Sequence, residues 1–402
     1  MLVEDRSASP PVGVGPGEGV ESAPANGVVG RRWAWAEVSG ALGDIGVLIP
    51  IILVLVVQNG MSSTPLLIAA GLMYLVVSVC YDVAIPVQPM KAASALAIAS
   101  ALSVDVITAA GFLVALIFFS LSATKLLNQV ARIIPAPVIR GVQFSVGLAL
   151  LKIAHGLTFT ESSVFSVQPG GWTGLALGTA MVIALFKWPI VSLPVAVGVG
   201  VVWASVSAGA PQSVGVSTIS APDWSAQSFL VAFVVLVLPQ VPLTVASSCI
   251  ATADAAAHYY GPTARKVTPN RLGGTIGIGN LASSLIGGMP MCHGSGGVTA
   301  HYRFGARHST APVIIGVLLI GVGLVFGAEF ASYASSVPTP VLASLLAVAG
   351  LSHLFLVSKV EGRRGQAVAV ALGLATLFVS LTYVLLSALA CYWLTRLFRA
   401  RL

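Results

Sequence analysis

Apolar runs long enough to cross a bilayer follow one another along almost the whole chain, from about residue 38 to the C-terminus. A helix needs about 20 apolar residues to span a hydrocarbon core about 30 Å thick. Only 8% of the residues are charged, against about 25% in a soluble domain. Because the runs leave no stretch for a sizeable soluble domain, the sequence predicts an all-α polytopic membrane protein.

Two of these runs are interrupted where a helix should continue through the membrane. Met289–Tyr302 reads MPMCHGSGGVTAHY, and Ile85–Ala99 reads IPVQPMKAASALAIA. Backbone groups cannot stay unpaired in lipid, so such a break is tolerated only where protein or a water-filled cavity surrounds it. In each stretch a Pro-bracketed extended piece is followed by small residues that can start a helix. Two such breaks in corresponding halves indicate the substrate site of a transporter.

The apolar runs divide into about fourteen segments in two sets of seven, with the broken segment third in each set, as the third and tenth segments. Because seven is odd, the second set enters from the opposite side, and the sets form a 7+7 inverted repeat. We expect residues 31–207 to form the first repeat (spans 1–7), 208–226 a polar linker and 227–402 the second repeat (spans 8–14). Residues 1–30, rich in Pro, Gly and Ser, are expected to be a disordered cytoplasmic tail.

Basic residues alternate between loops in the way that cytoplasmic loops collect Lys and Arg. With the N-terminus inside, every even-numbered span ends inside, so both termini are expected in the cytoplasm. The inside groups are Lys125/Arg132, Lys187, Arg265/Lys266/Arg271, Arg303/Arg307, Lys359/Arg363/Arg364 and Arg396/Arg399/Arg401, and the outside turns carry Asp105, Glu161, Asp223 and Glu329. This topology accounts for the net charge of +7 without nucleic acid as a partner.

The half-helices that follow the two breaks predict an anion site. A half-helix that starts at mid-membrane directs unpaired N–H groups and the positive end of its dipole into the protein. Lysine adds a full charge there, hydroxyls and amides can donate to oxyanion oxygens, and glycine allows close approach to the backbone. The candidate substrate-binding residues in these stretches are Gln88, Met90, Lys91, Ser94, His293, Gly294, Ser295, Gly296 and Gly297.

Four polar residues keep alternative interpretations. Lys91 either faces the site or extends to the membrane interface. His293 either donates to the substrate, carries a proton, or is a neutral residue bonded to a carbonyl. Gln240, between two prolines of the eighth span, either lies near the substrate or makes an interhelical amide bond. Asp44 cannot bind an anion directly, so it either pairs with Lys91 or carries a coupling proton. The four cysteines lack CxxC spacing, and neither a disulfide framework, a protein-bound metal nor a cofactor is expected.

The order of four motifs resembles a known family. GALGDIGVLIP, PVQPMKAASA, LPQVPLT and GGMPMCHGSGGVTAHYRFGAR are similar to the molybdate transporter family, a branch of the SulP sulfate permease superfamily. The resemblance implies a fourteen-span fold shared with uracil permeases, in which a core domain (spans 1–4 and 8–11) moves against a gate domain (spans 5–7 and 12–14). It also implies molybdate as substrate, and the C-terminal soluble regulatory domain common in sulfate permeases is not expected here.

The resulting hypothesis is a secondary transporter that imports molybdate across the cytoplasmic (plasma) membrane by alternating access, with the anion between two facing half-helix N-termini. Sulfate, tungstate or another oxyanion remains an alternative substrate, because tetrahedral dianions share their geometry and no motif measures their radius. A nucleobase permease and an anion channel are weaker alternatives. An enzyme is not predicted, since the sequence offers no nucleophile and base pair. The coupling ion stays open, as does the oligomeric state, with a homodimer as one alternative.

Overall fold

The computed structural model describes residues 31–159, 165, 172–209, 211–379 and 381–399. The tail predicted for residues 1–30 therefore lies outside the described residues, as do Glu161 and Arg401 of the charge pattern.

The described chain is almost entirely helical. Its first half contains α1 (Arg31–Ala41), α2 (Ile45–Asn59), α3 (Ser63–Cys80), β1 (Gln88–Pro89), α4 (Lys91–Ala99), α5 (Val104–Ala123), α6 (Leu126–Ile133), α7 (Ala136–Phe159), α8 (Trp172–Lys187) and α9 (Pro189–Ala208). The second half contains α10 (Ala226–Val231), α11 (Leu238–Leu243), α12 (Ala251–Tyr260), α13 (Pro269–Leu285), β2 (Met291–Cys292), α14 (Ser295–Arg303), α15 (Thr310–Phe326), α16 (Phe330–Ser335), α17 (Thr339–Leu354), α18 (Arg363–Ala375) and α19 (Leu381–Arg399).

Seven helices in the described residues are long and apolar enough to cross a membrane, and three shorter apolar helices accompany them. Many large apolar side chains remain exposed on the outer helices, among them Val199 on α9 and Val317 on α15. Exposed apolar surface on this scale is unfavourable in water and suits contact with lipid. The protein is therefore an integral membrane protein.

Two spans deviate from regular α-helix in ways that position side chains. A 3-10 turn, Leu42–Asp44, separates α1 from α2 and lies where Gly40 and Gly43 pack closely on the chain around Ala306 and His301. Pro239 and Pro242 predict an interruption in the middle of the eighth span, but the chain continues there as one helical segment from α10 to α12. Two π-helical segments, Ala232–Val237 and Thr244–Ile250, lie on either side of these prolines. Such wider turns are frequent at functional sites.

The two interrupted stretches meet at the centre of the protein as a pair of short antiparallel strands. In β1 and β2, Gln88 is opposite Cys292 and Pro89 is opposite Met291. The N–H of Met90 adds a bond of 3.0 Å to the carbonyl of Pro290. The sequence after the first break predicts a half-helix over about Lys91–Ser103. The observed helix is shorter, since it ends at Ala99 and Ala101 adopts a left-handed conformation with φ 46°. The strand pair brings the first turns of α4 and α14 into one buried region.

Helix packing links the halves around this centre. Helix α3 packs on α15, and α13 packs on α5. Helix α7 packs on both α17 and α18, while α17 also contacts α8. The largest buried apolar cluster includes side chains from α2 to α6 and from the π segments to α17, and it encloses both strands.

Candidate anion site at the paired strands

Gln88 joins the two interrupted stretches. Its side chain is buried, and its Oε1 accepts a hydrogen bond of 2.8 Å from Lys91 Nζ. A Cβ at Gly294, the residue before α14, would collide with Gln88 Oε1. The amide of one side chain therefore touches the first residue of α4 and the N-cap of α14. Of the predicted site residues, Gln88, Lys91 and Gly294 are brought together directly.

Asp44 lies fully buried beside this amide, in the turn between α1 and α2. Its Oδ1 accepts a 2.6 Å hydrogen bond from Gln88 Nε2, and its Oδ2 accepts a 2.8 Å bond from the Tyr74 hydroxyl. The Nε2 of His301, on α14, lies 3.1 Å from the same Oδ2. Pairing with Lys91 was one of the two alternatives for Asp44, and in the structure Gln88 bridges the two side chains. A buried carboxylate needs such partners, because an isolated charge in a low-dielectric interior is very costly.

Lys91 determines the direction of this network. An ammonium group can only donate, so the oxygen of the Gln88 amide faces Lys91 and its nitrogen faces Asp44. The side chain of Lys91 is only partly buried, at the start of α4. Lys91 therefore donates to Gln88, and Gln88 donates to Asp44.

His293 faces away from this network. Its Nδ1 lies 2.8 Å from the carbonyl of Pro86, which can only accept, so Nδ1 donates. Its Nε2 lies 2.7 Å from the Thr275 hydroxyl. The Thr252 hydroxyl also donates to the His293 carbonyl at 2.9 Å. Both ring nitrogens thus have protein partners, which supports the interpretation of His293 as a neutral residue bonded to a carbonyl.

Gln240 contacts the first turn of α4. Its Oε1 accepts the N–H of Ala93 at 2.9 Å, and its Nε2 donates to the Thr244 hydroxyl at 2.9 Å. One of the N–H groups that a helix N-terminus leaves unsatisfied is therefore already bonded. This contact matches the interhelical amide bond of the sequence analysis, made to backbone rather than to another side chain.

The remaining predicted residues surround the same region. Met90 precedes α4 as its N-cap residue and is fully buried, while Ser94 and Ser295 are buried within the first turns of α4 and α14. A Cβ at Gly297 would lie 2.6 Å from both Asp44 Oδ1 and Gln88 Nε2. A Cβ at Gly296 would instead point towards Leu150 of α7, 3.2 Å away. The two adjacent glycines therefore face different neighbours.

A narrow space separates this centre from α7 and α17. It is too narrow to admit a water molecule, and it is lined by Asp44, Gln88, Gly296, Leu150, Leu345 and Ala349, among others. A wider cavity of about 420 Å³ begins further along α14. Its lining includes Thr299, Tyr302 and Arg303 of α14, Tyr259 at the end of α12, and Ser358. The closed centre and the open cavity lie along the same helix.

Tyr74 and His301 belong to the network but were not among the predicted site residues. Both are fully buried. His301 could have been found from spacing, because Gly297 and His301 are four residues apart and share one face of α14. An ionisable residue inside a membrane protein is by default a functional candidate. Tyr74 lies in the middle of an ordinary apolar span, where the sequence gives no comparable signal.

The fold is that of a known class of membrane transporter. The chain is similar to the transmembrane domain of a cyanobacterium bicarbonate transporter, BicA, with a TM-score of 0.56 and 17% identity, covering 89% of this chain and 97% of that chain. It is also similar to the murine Solute Carrier 26 family member A9 anion transporter in the inward-facing state. The TM-score is 0.62 at 17% identity, covering 92% of this chain and 69% of that chain. At this identity the similarity establishes the fold.

Sequence comparison then identifies the family. A family model described as "Molybdate transporter of MFS superfamily" matches residues 36–150 and 232–352, which include every residue of the network. Molybdate transporter 1 of Arabidopsis thaliana is 30% identical over 365 residues, covering 79% of this chain and 78% of that protein. Molybdate transporter 2 of the same plant is 29% identical over 366 residues, covering 79% and 77%. The chain belongs to the molybdate transporter family. The two relatives from Arabidopsis thaliana are named as transporters, not as enzymes.

Proposed function

We propose that the protein is a secondary transporter that imports molybdate, with the tetrahedral dianion bound between the first turns of α4 and α14. The observation that carries this proposal is the antiparallel pairing of β1 with β2, which brings two helix N-termini, Lys91 and the glycine amides of α14 into one buried region. Helix N-termini and a lysine ammonium favour an oxyanion electrostatically. Membership of the molybdate transporter family supports molybdate as that oxyanion.

The packing of the helices supports an inverted repeat of residues 31–207 and 227–402. A repeat of seven spans makes α3 equivalent to α13, α5 to α15, α7 to α17 and α8 to α18. Under this equivalence the α3–α15 contact maps onto the α13–α5 contact, and the α7–α18 contact maps onto the α17–α8 contact. Each interrupted stretch follows one member of the first equivalent pair. The fourteen-span count and the linker at 208–226 remain part of this proposal.

Alternating access follows from the division of the helices into a core and a gate. The core carries the strands, α4 and α14, and the gate includes α7, α8, α17 and α18. Side chains from the gate, including Leu150 and Leu345, line the narrow space beside Gly296 together with core residues such as Asp44. The wider cavity lies towards Arg303 and Arg307, which the charge pattern places in the cytoplasm. We assign the structure to a state that is open towards the cytoplasm, with both termini on that side of the plasma membrane.

Labelled molybdate uptake into liposomes containing the purified protein tests the proposal. Saturable uptake is expected, with tungstate and sulfate as graded competitors and uracil without effect. The ratio of the molybdate and sulfate affinities measures selectivity directly. Competition by uracil would favour a nucleobase permease on the same fold. Non-saturable uptake accompanied by a steady passive current would indicate an anion channel rather than a transporter.

A further inference from the structure

His301 lies between two acceptors. Its Nδ1 is 2.7 Å from the carbonyl oxygen of Gly40, and its Nε2 is 3.1 Å from Asp44 Oδ2. A carbonyl oxygen can only accept, so Nδ1 carries a hydrogen. The contact between Nε2 and Oδ2 then requires one further proton, held either by the imidazole or by the carboxyl group. With that proton, the Asp44–His301 pair has no net charge.

The other groups around the pair fix this arrangement. Gln88 and Tyr74 donate to Asp44, so the carboxylate already accepts on both oxygens. Removing the shared proton would place the lone pairs of Nε2 and Oδ2 against each other at 3.1 Å. It would also leave a net negative charge on a fully buried pair whose contact with Lys91 is only indirect, through Gln88. Loss of the proton therefore destabilises the contact between the first span and α14. It also disfavours the binding of an anion nearby.

We infer that the Asp44–His301 pair is a proton-binding site whose proton is taken up together with the anion. This inference rests on the proposed function, which it extends by naming the coupling ion. Hydrogen bonds connect the pair to the proposed anion site. Asp44 and His301 join the first span to α14, and Gln88 bonds both to Asp44 and to Lys91 at the start of α4. A bound dianion favours the protonated, neutral pair over the negatively charged one.

Among the residues that the structure describes, few charged or titratable groups face the pair. Tyr74 of α3 contacts it directly, and Lys91 of α4 contacts it through Gln88. The Cys292 thiol of β2 and the Glu37 carboxylate of α1 are within electrostatic range. From α7 and α17, the nearby lining residues are Leu150, Leu345, Leu346 and Ala349, which do not titrate. Among the described residues, the titratable side chains in direct contact with Asp44 are therefore Tyr74 and His301.

The test uses the full-length protein in liposomes, with the membrane potential clamped at zero by equal potassium and valinomycin. If one proton enters with each anion, an inward gradient of one pH unit supports about tenfold accumulation of labelled molybdate. Asp44→Asn mimics the protonated carboxyl group without titrating. We expect this variant to bind molybdate with an affinity that stays constant from about pH 5.5 to about pH 8.5, and to lose accumulation driven by the pH gradient.

His301→Gln is the second variant, and it is expected to lose gradient-driven accumulation in the same way. His308→Gln is the matched control, because His308 also contacts a carboxylate, Glu37, at 3.0 Å, but its side chain is 57% exposed. The control should keep the pH response of the parent. Parent protein that transports molybdate without any response to the pH gradient would overturn the proton site while leaving the proposed function intact. Gradient-driven accumulation retained in folded Asp44→Asn would overturn it equally. Failure of the parent to bind molybdate at any pH would instead refute the proposed function.

Discussion

Adding one methyl group at Gly297 should disrupt the network at the centre of the protein. The new Cβ would collide with Pro86 and would lie 2.6 Å from both Asp44 Oδ1 and Gln88 Nε2. Ordinary van der Waals contact begins at 3.4 Å, so each polar atom would have to withdraw by about 0.8 Å. The two atoms are themselves joined by a 2.6 Å hydrogen bond, which such a displacement breaks or bends. Gly297→Ala therefore acts on the bond between Gln88 and the buried carboxylate.

The expected magnitude combines three contributions. Overpacking of a rigid interior costs about 1–3 kcal/mol. Loss of a hydrogen bond to a charged group costs about 1.5–3 kcal/mol. Replacing Gly by Ala within a helix stabilises the helix by about 1 kcal/mol, which offsets part of this cost. The net cost is about 3 kcal/mol, which corresponds to more than about a hundredfold in an equilibrium constant. We expect Gly297→Ala to lower the midpoint of thermal unfolding and to weaken molybdate binding.

The neighbouring glycine provides the matched control. In Gly296→Ala the new methyl group would meet only Leu150 Cδ1 at 3.2 Å and Val146 Cγ1 at 3.5 Å, both side-chain ends on α7. Such ends can move by a few tenths of an ångström, so the thermal stability of the parent should be kept. Both variants are purified in detergent, and thermal unfolding is followed with and without molybdate. Equal stability and equal affinity of the two variants would refute the argument, because it depends on the different neighbours of the two glycines.

Three further predictions follow from the site and the charge pattern. Lys91→Ala should weaken uptake more than Lys91→Arg, since a unit charge about 4 Å from another contributes about 4 kcal/mol at an effective dielectric constant near 20. Equal apparent affinities would mean that the charge of Lys91 does not act on the anion. Gln240→Ala leaves the Ala93 N–H without its acceptor and should cost about 1–3 kcal/mol of stability in thermal unfolding, whereas an unchanged midpoint would mean that another group replaces it. Single cysteines placed in residues 1–30 and at Arg363 should react with impermeant reagents only from the cytoplasmic side, and external labelling of either would contradict the fourteen-span topology.

The helices were largely predictable because apolar runs bounded by Pro, Gly and charge carry a strong signal. The apolar run at about 104–123 predicts a span that coincides with α5. The run at about 366–398 is too long for one ordinary span, which predicts two shorter helices, and the structure has α18 and α19 there. Short helices were missed: α6 and α16 are too short for a membrane-spanning pattern. The prolines of the eighth span predict an interruption, yet the segment from α10 to α12 stays helical. Its backbone accommodates the prolines between two π-helical segments.

The site was only partly predictable, and its two histidines illustrate the reason. His293 and His301 lie in the same stretch, and the sequence favours His293 as a site residue because it stands beside the break. The direction of a side chain in an extended segment depends on strand register, which here turns His293 towards Pro86 and Thr275. His301 lies on a regular helix, where its position relative to Gly297 determines the face it shares. The bridging of Asp44 and Lys91 by Gln88 depends on distances between three elements that a linear pattern does not contain.

The strand pair also has a consequence for how the chain is made. The backbone of Gln88 pairs with that of Cys292, which is synthesised about two hundred residues later. At about 5–20 residues per second, synthesis of that interval takes about 10–40 s. During this time the newly inserted first half holds an extended segment whose backbone lipid cannot satisfy. The first half is therefore not an independent folding unit. Expressed alone it should be removed by quality control, and co-expression of the second half as a separate polypeptide should rescue it.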